Sequence, residues 1–222
     1  MKNLLSILTL FLCLTACSTH KAESPSIIEI TDLDYRLSSK GLNAFCTKND
    51  IDTTSVYKWE NHWVIYSQFE HIENFKSQLE AKYPRIKINI FNKPFYSFNR
   101  QKQCHQEPAK QWDNIIMTAN LVSDTAKQKE YMEYHRTQFE KWPEVSKGFC
   151  NASFQQLLVF RTGRQLMLII SIPKGKTLDE LNPKTTENNP RVNEWNSIMS
   201  KYQEGIEDAP KGTTWVMFKS LR

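Results

Sequence analysis

The feature that most constrains this chain is the order of its apolar patterns. They run strand, helix, strand, strand, helix, strand, and then the same order returns. In the first pass Ile27 to Ile30 reads as a strand, and Ser38 or Ser39 caps a helix reaching Asn49. Two aromatic and β-branched runs around Glu60-Asn61 form a hairpin, with His62 solvated near its turn. Ile72, Phe75, Leu79 and Tyr83 then share a helical stripe closed by Pro84, and Ile86, Ile88 and Ile90 begin a strand that runs to Phe98. In the second pass Ile115 to Val122 alternates as a strand, and Asp124 caps a long helix. A hairpin follows with Thr162-Gly163 at its turn, then a helix capped by Asn188 or Asn189 with Pro190 in its first turn. A strand over Thr213 to Leu221 closes the pass.

Two such split units predict an α+β fold of tandem ferredoxin-like halves, each an antiparallel sheet with helices on one face. Packed sheet to sheet they make a dimeric α+β barrel within one chain, which buries both sheets without a second copy. The oligomeric state stays open. The expected boundaries are residues 27–100 for the first unit, 101–112 for a polar linker containing Pro108, and 113–222 for the second.

The start of the chain reads as an address. Lys2 precedes an apolar run from Leu4 to Leu14 that is too short for a comfortable membrane span. It ends in Leu14-Thr15-Ala16-Cys17, which resembles a bacterial lipoprotein cleavage box. That resemblance implies removal of residues 1–16, lipid attachment at Cys17, a tether over 17–26, and a cell-envelope location with the outer membrane favoured over the inner. Beyond the anchor, Cys46, Cys104 and Cys150 allow one disulfide and one free thiol in an oxidising compartment, and their spacing does not say which. No pair has the spacing of a zinc site, and no cofactor or metal is expected. The net charge of +5 is spread along the chain with acids interleaved, which points away from nucleic acid.

The chemistry-bearing stretch is Lys127 to Val145. At helical spacing Tyr131, His135, Gln138 and Trp142 fall on one stripe, a phenol, an imidazole, an amide and an indole. The bland reading is the core face of an amphipathic helix; the sharper one is the wall of a polar pocket. On the later helix Val192, Trp195, Met199 and Tyr202 form a second stripe.

From about residue 113 onward the sequence resembles the L-rhamnose mutarotase family and its L-fucose-associated relatives. The residues that carry this are Tyr131 with His135 four positions on, Trp142-Pro143-Glu144-Val145, and Arg161 to Arg164 at a hairpin turn. Asn189-Pro190-Arg191-Val192, Glu194-Trp195, Met199, Lys201-Tyr202-Gln203 and Thr214-Trp215-Val216 complete the resemblance. It implies anomer exchange in a 6-deoxy-hexose or similar small sugar, needing neither metal nor cofactor. His135 would be the general acid/base, Tyr131 its neighbour, and Trp142, Trp195, Tyr202 and Gln138 the sugar-contacting groups. Two departures stand out. Without a gap, Gln138 rather than His135 takes the family's histidine position, and a tyrosine of the bacterial rhamnose enzymes falls near Leu157. The alternative function is therefore a sugar- or partner-binding lipoprotein of the same fold without catalysis.

Overall fold

The computed structural model describes residues 24–221. Cys17, the signal segment and most of the tether lie outside the described residues. The first unit contains β1 (Ser26–Asp32), α1 (Ser39–Lys48), β2 (Val56–Trp59), β3 (His62–Ser67), α2 (Ile72–Lys82) and β4 (Ile86–Phe91). Next come β5 (Pro94–Asn99) and α3 (Arg100–Cys104). The second unit holds β6 (Trp112–Leu121), α4 (Thr125–Arg136), α5 (Gln138–Lys141), α6 (Pro143–Asn151), β7 (Gln156–Thr162) and β8 (Gln165–Pro173). It finishes with α7 (Leu178–Leu181), α8 (Pro190–Met199), the short β9 (Gln203–Glu204) and β10 (Val216–Ser220).

The strands form one antiparallel sheet in the order β4-β1-β3-β2-β10-β6-β8-β7-β5, with β9 added beside β6. Each unit has the same internal order, its last strand beside its first and its second strand at the far side. The fold is thus two ferredoxin-like units joined at the β2–β10 seam, where Lys58 faces Lys219 and Tyr57 faces Ser220. The sheet curls into a nearly closed barrel. Across the remaining gap, Thr162 Oγ1 on β7 donates to the Ile90 carbonyl on β4 at 2.7 Å.

The period-two alternation of the strands sorts their residues into separate cores. Ile27, Tyr57, Val64, Ile116, Leu158, Phe160, Met167, Ile169 and Phe218 fill the barrel interior between the two units. Ile28, Ile30 and Ile65 point the other way, toward Leu42, Phe45, Phe75 and Leu79 on α1 and α2. Leu157, Val159, Leu166 and Ile170 likewise face the helices of the second unit. One end of the barrel interior is polar. Glu29, 2% exposed, accepts from Gln165 Nε2 at 2.9 Å and Asn89 Nδ2 at 3.2 Å, and lies 3.3 Å from His62 Nδ1. His62 is therefore enclosed rather than solvated, because the strand alternation turns it inward beside Val64.

Two expected elements are divided. The strand expected from Ile86 to Phe98 is broken between Phe91 and Pro94, and β5 pairs with β7 of the second unit, Tyr96 opposite Val159 and Phe98 opposite Leu157. A strand from the expected first domain thus completes the sheet of the second. The long helix expected from Asp124 keeps its cap, with the Asp124 carboxylate accepting from the Ala126 and Lys127 amides, but ends at Arg136. Thr137 Oγ1 donates back to the Glu133 carbonyl at 2.9 Å, and Pro143 restarts the helix as α6 after Trp142 leaves helical geometry. Residues 127–145 therefore do not share one face.

The cysteine question is answered by the fold. Cys104 at the end of α3 is disulfide-bonded to Cys150 in α6, and Cys46 is free and buried. This bond fastens the segment after β5 to the second unit. Among the described residues no helix is long and apolar enough to cross a membrane.

Candidate functional site

The helices of the second unit do not lie flat on its sheet. Between them and the outer face of β5 to β8 is a cavity of about 430 Å³. Its walls are set by two close approaches. Gly148 in α6 lets that helix meet the Thr185 carbonyl, where an added Cβ would lie only 2.6 Å from the oxygen. Asn189, which precedes α8, does not cap it with its side chain; its Nδ2 donates to the Glu144 carbonyl at 2.8 Å and holds α8 against α6.

His135 and Tyr131 both line this cavity, one turn apart on α4, and Trp195 of α8 lines it with them. His135 is 8% exposed. Its Nδ1 lies 2.9 Å from the Tyr131 carbonyl. A carbonyl only accepts, so Nδ1 carries the proton and Nε2 is left with a lone pair. Burial pulls the imidazole pKa down to about 4, against the opposing pull of that carbonyl. The ring is therefore neutral at ordinary pH. The rings of Phe95, Tyr96, Tyr131 and Trp195 surround it, with centroids at 5.6, 5.2, 4.3 and 5.3 Å.

Tyr131 is almost wholly buried. Gln203 Nε2 donates to its Oη at 3.2 Å, and Trp215 Nε1 donates to Gln203 Oε1 at 3.1 Å. Burial raises the phenol pKa, partly offset by the Gln203 bond. Tyr131 is thus a neutral hydroxyl whose own O–H is available to donate. A residue with a lone-pair acceptor and one with a hydroxyl donor thus line the same recess.

The other sequence-predicted groups are placed elsewhere. Gln138 is fully buried and does not line the cavity; its Oε1 accepts from Tyr96 Oη at 2.7 Å and its Nε2 donates to the Trp142 carbonyl at 2.6 Å. The break at Thr137 turns it away from the His135 stripe. Trp142 packs against Trp195, and its ring is covered by the Arg191 guanidinium at 3.8 Å. Tyr202 Oη donates to Glu130 at 3.0 Å, on the outer side of α4. Trp142 and Tyr202 therefore back the site instead of lining it.

Reasoning from sequence did not pick out Tyr96, Gln203 and Trp215, nor the exposed amides Asn182 and Asn196, all of which line the cavity. Gln203 and Trp215 belong to the stretches that carry the family resemblance, which is the signal the sequence holds for them. Tyr96 had none, since its strand pairs across the boundary between units. Leu157, where the resemblance expects a tyrosine, lines the cavity with hydrocarbon. Among the described residues no group of three or more His, Cys, Asp or Glu could hold a metal ion.

Comparison with known proteins bears on the same half of the chain. The model of the L-rhamnose mutarotase family matches residues 114–221. An L-fucose mutarotase of Xanthomonas campestris is 27% identical over 102 residues, covering 46% of this chain and 79% of that protein. A UPF0734 protein of Dictyostelium discoideum is 29% identical over 100 residues, covering 45% of this chain and 78% of that one. Among solved structures, an uncharacterised ferredoxin-fold protein of Listeria monocytogenes, described as related to antibiotic biosynthesis monooxygenases, aligns with TM-score 0.45 and 10% identity. That alignment covers 90% of this chain and 97% of the other.

Proposed function

We propose that the second unit, matched as it is to the mutarotase family, interconverts the anomers of a small 6-deoxy sugar, with His135 and Tyr131 moving the protons. The observation that carries this reading is that a neutral His135, whose proton is held on Nδ1, and Tyr131 line one cavity. Ring opening of a hemiacetal takes a proton from the anomeric hydroxyl and puts one on the ring oxygen, while the bond between the anomeric carbon and that oxygen breaks. His135 Nε2 accepts the first proton and Tyr131 O–H delivers the second. Rotation of the open aldehyde and reclosure on its other face return both protons. His135 is a weak base and Tyr131 a weak acid here, so the two transfers are coupled instead of passing through a long-lived ion pair. Trp195 offers an apolar face to the sugar ring.

A non-catalytic sugar binder is the second reading, favoured by Leu157, which puts hydrocarbon where the family resemblance expects a proton-bearing group. Saturation-transfer NMR on L-rhamnose and L-fucose separates the two. Exchange between anomeric signals above the uncatalysed rate supports the enzyme. Sugar-induced protein shifts without exchange support the binder, and no response to these sugars or to less hydroxylated 6-deoxyhexoses removes both.

For location, the lipoprotein-like box at Cys17 supports anchoring to the envelope, with the outer membrane as the favoured site. The Cys104–Cys150 disulfide suits an oxidising compartment. Metabolic labelling with a fatty acid should mark the protein and not Cys17→Ser; equal labelling of the two would remove the anchor.

A further inference from the structure

We infer that the ligand of this cavity is a 6-deoxyhexose with fewer free hydroxyls than L-rhamnose or L-fucose, O-methylated or further deoxygenated and free at its anomeric carbon. The inference rests on the sugar reading above and narrows it.

An account of the polar groups carries it. His135 Nδ1 is spent on the Tyr131 carbonyl, and Tyr96 Oη is spent on Gln138. Gln203 spends one N–H on Tyr131 and one lone pair of its Oε1 on Trp215, which leaves it one N–H and one lone pair. The open groups are His135 Nε2, the Tyr131 O–H and the rest of the Gln203 amide, with the exposed amides of Asn182 and Asn196 at the rim. Ring opening occupies the first two, on the anomeric hydroxyl and the ring oxygen. The rest of the Gln203 amide and the two rim amides are then left for the hydroxyls on the other ring carbons, and among the described residues no carboxylate, guanidinium or ammonium lines the cavity to hold them.

Much of the remaining wall is hydrocarbon. Leu157, Val159, Leu168 and Ile170 of the sheet face Phe154 and Met199 across the space. A sugar hydroxyl pressed against them gives up water and finds no partner, whereas a methyl ether or a methylene keeps its contacts. The volume agrees. About 430 Å³ lies within the ~300–1,000 Å³ that takes drug-sized ligands, more than a bare hexose fills.

The test compares L-rhamnose, 3-O-methyl-L-rhamnose and 2-deoxy-L-rhamnose on the full folded chain. Exchange is read by saturation-transfer NMR as acceleration over each sugar's own spontaneous rate, and binding by protein-observed titration. The expected result is a preference of about tenfold to a hundredfold for the methylated and deoxygenated sugars over L-rhamnose, the span that a small apolar group confers in an apolar pocket. Equal or better handling of L-rhamnose overturns the inference and leaves the mutarotase reading standing. Tighter binding of the methylated sugar with no exchange of any sugar supports this ligand class and removes the mutarotase reading. No preference in either readout, with no exchange, overturns both.

Discussion

Gln138→Ala tests whether this residue is a buried brace or a sugar contact. Gln138 is fully enclosed, and its amide is the partner of the Tyr96 hydroxyl at 2.7 Å and the Trp142 carbonyl at 2.6 Å, with Ser146 Oγ 3.2 Å from Nε2. Truncation leaves the buried Tyr96 hydroxyl without a partner, at a cost of about 1–3 kcal/mol, while the Trp142 carbonyl keeps the Val145 N–H at 3.0 Å. The emptied space adds a further loss, so the total is about 2–5 kcal/mol, a large part of the ~5–15 kcal/mol that holds a domain. With a urea slope of about 2 kcal/mol per M, the unfolding midpoint drops by roughly 2 M. Gln138→Met separates the causes. It keeps most of the volume and removes the polar partner of Tyr96, so it should retain about 1–3 kcal/mol of the loss. A Gln138→Met midpoint within ~0.3 M of wild type, together with weakened sugar binding, would refute the brace and return Gln138 to the site.

Three other predictions concern stability. Because His135 has its folded pKa depressed to about 4 against 6.5, the unfolded chain takes up the proton first, and stability falls as pH drops from 6.5 to 4. The loss of about 3 kcal/mol should be absent in His135→Gln in urea titrations at pH 7 and pH 4.5. His62 behaves oppositely. Burial lowers its pKa, but bonds to Glu29 and Asp208 outweigh this and raise it, so its contribution is full below 6.5 and is lost as pH rises through the folded value. A neutral imidazole donates through only one ring nitrogen, so the exposed Asp208 partner is released first. In Asp208→Asn the difference in urea midpoint between pH 6 and pH 8 should shrink; an unchanged difference would disprove the pairing. Finally, opening the Cys104–Cys150 bond, with a sequence separation of 46, should cost about 4 kcal/mol on chain-entropy grounds. Cys104→Ala with Cys150→Ala, compared by urea unfolding, checks this, and a loss under 1 kcal/mol would contradict it.

The repeated element order was legible because alternation and helical stripes are local signals, readable from residues such as Ile86, Ile88 and Ile90. The Tyr131–His135 pair was legible for the same reason, both residues lying within one unbroken helix. What lay beyond reach was set by contacts distant in sequence. The pairing of β5 with β7 brings Tyr96 to the ring of His135, yet only the Asn92-Lys93-Pro94 interruption hints that the strand divides. The partners Cys104 and Cys150 meet for the same non-local reason. Gln138 and Trp142 were misplaced because the helix was extended through Trp142-Pro143, although the residue before a proline is biased away from helical geometry.

Removing the imidazole tests the central claim most directly. Anomer exchange on the preferred sugar should fall by about a hundredfold or more in His135→Ala, the contribution of a general acid–base group, while the variant stays folded at pH 7. Exchange within about twofold of wild type would show that His135 merely fills space, and the proton-transfer account would be wrong.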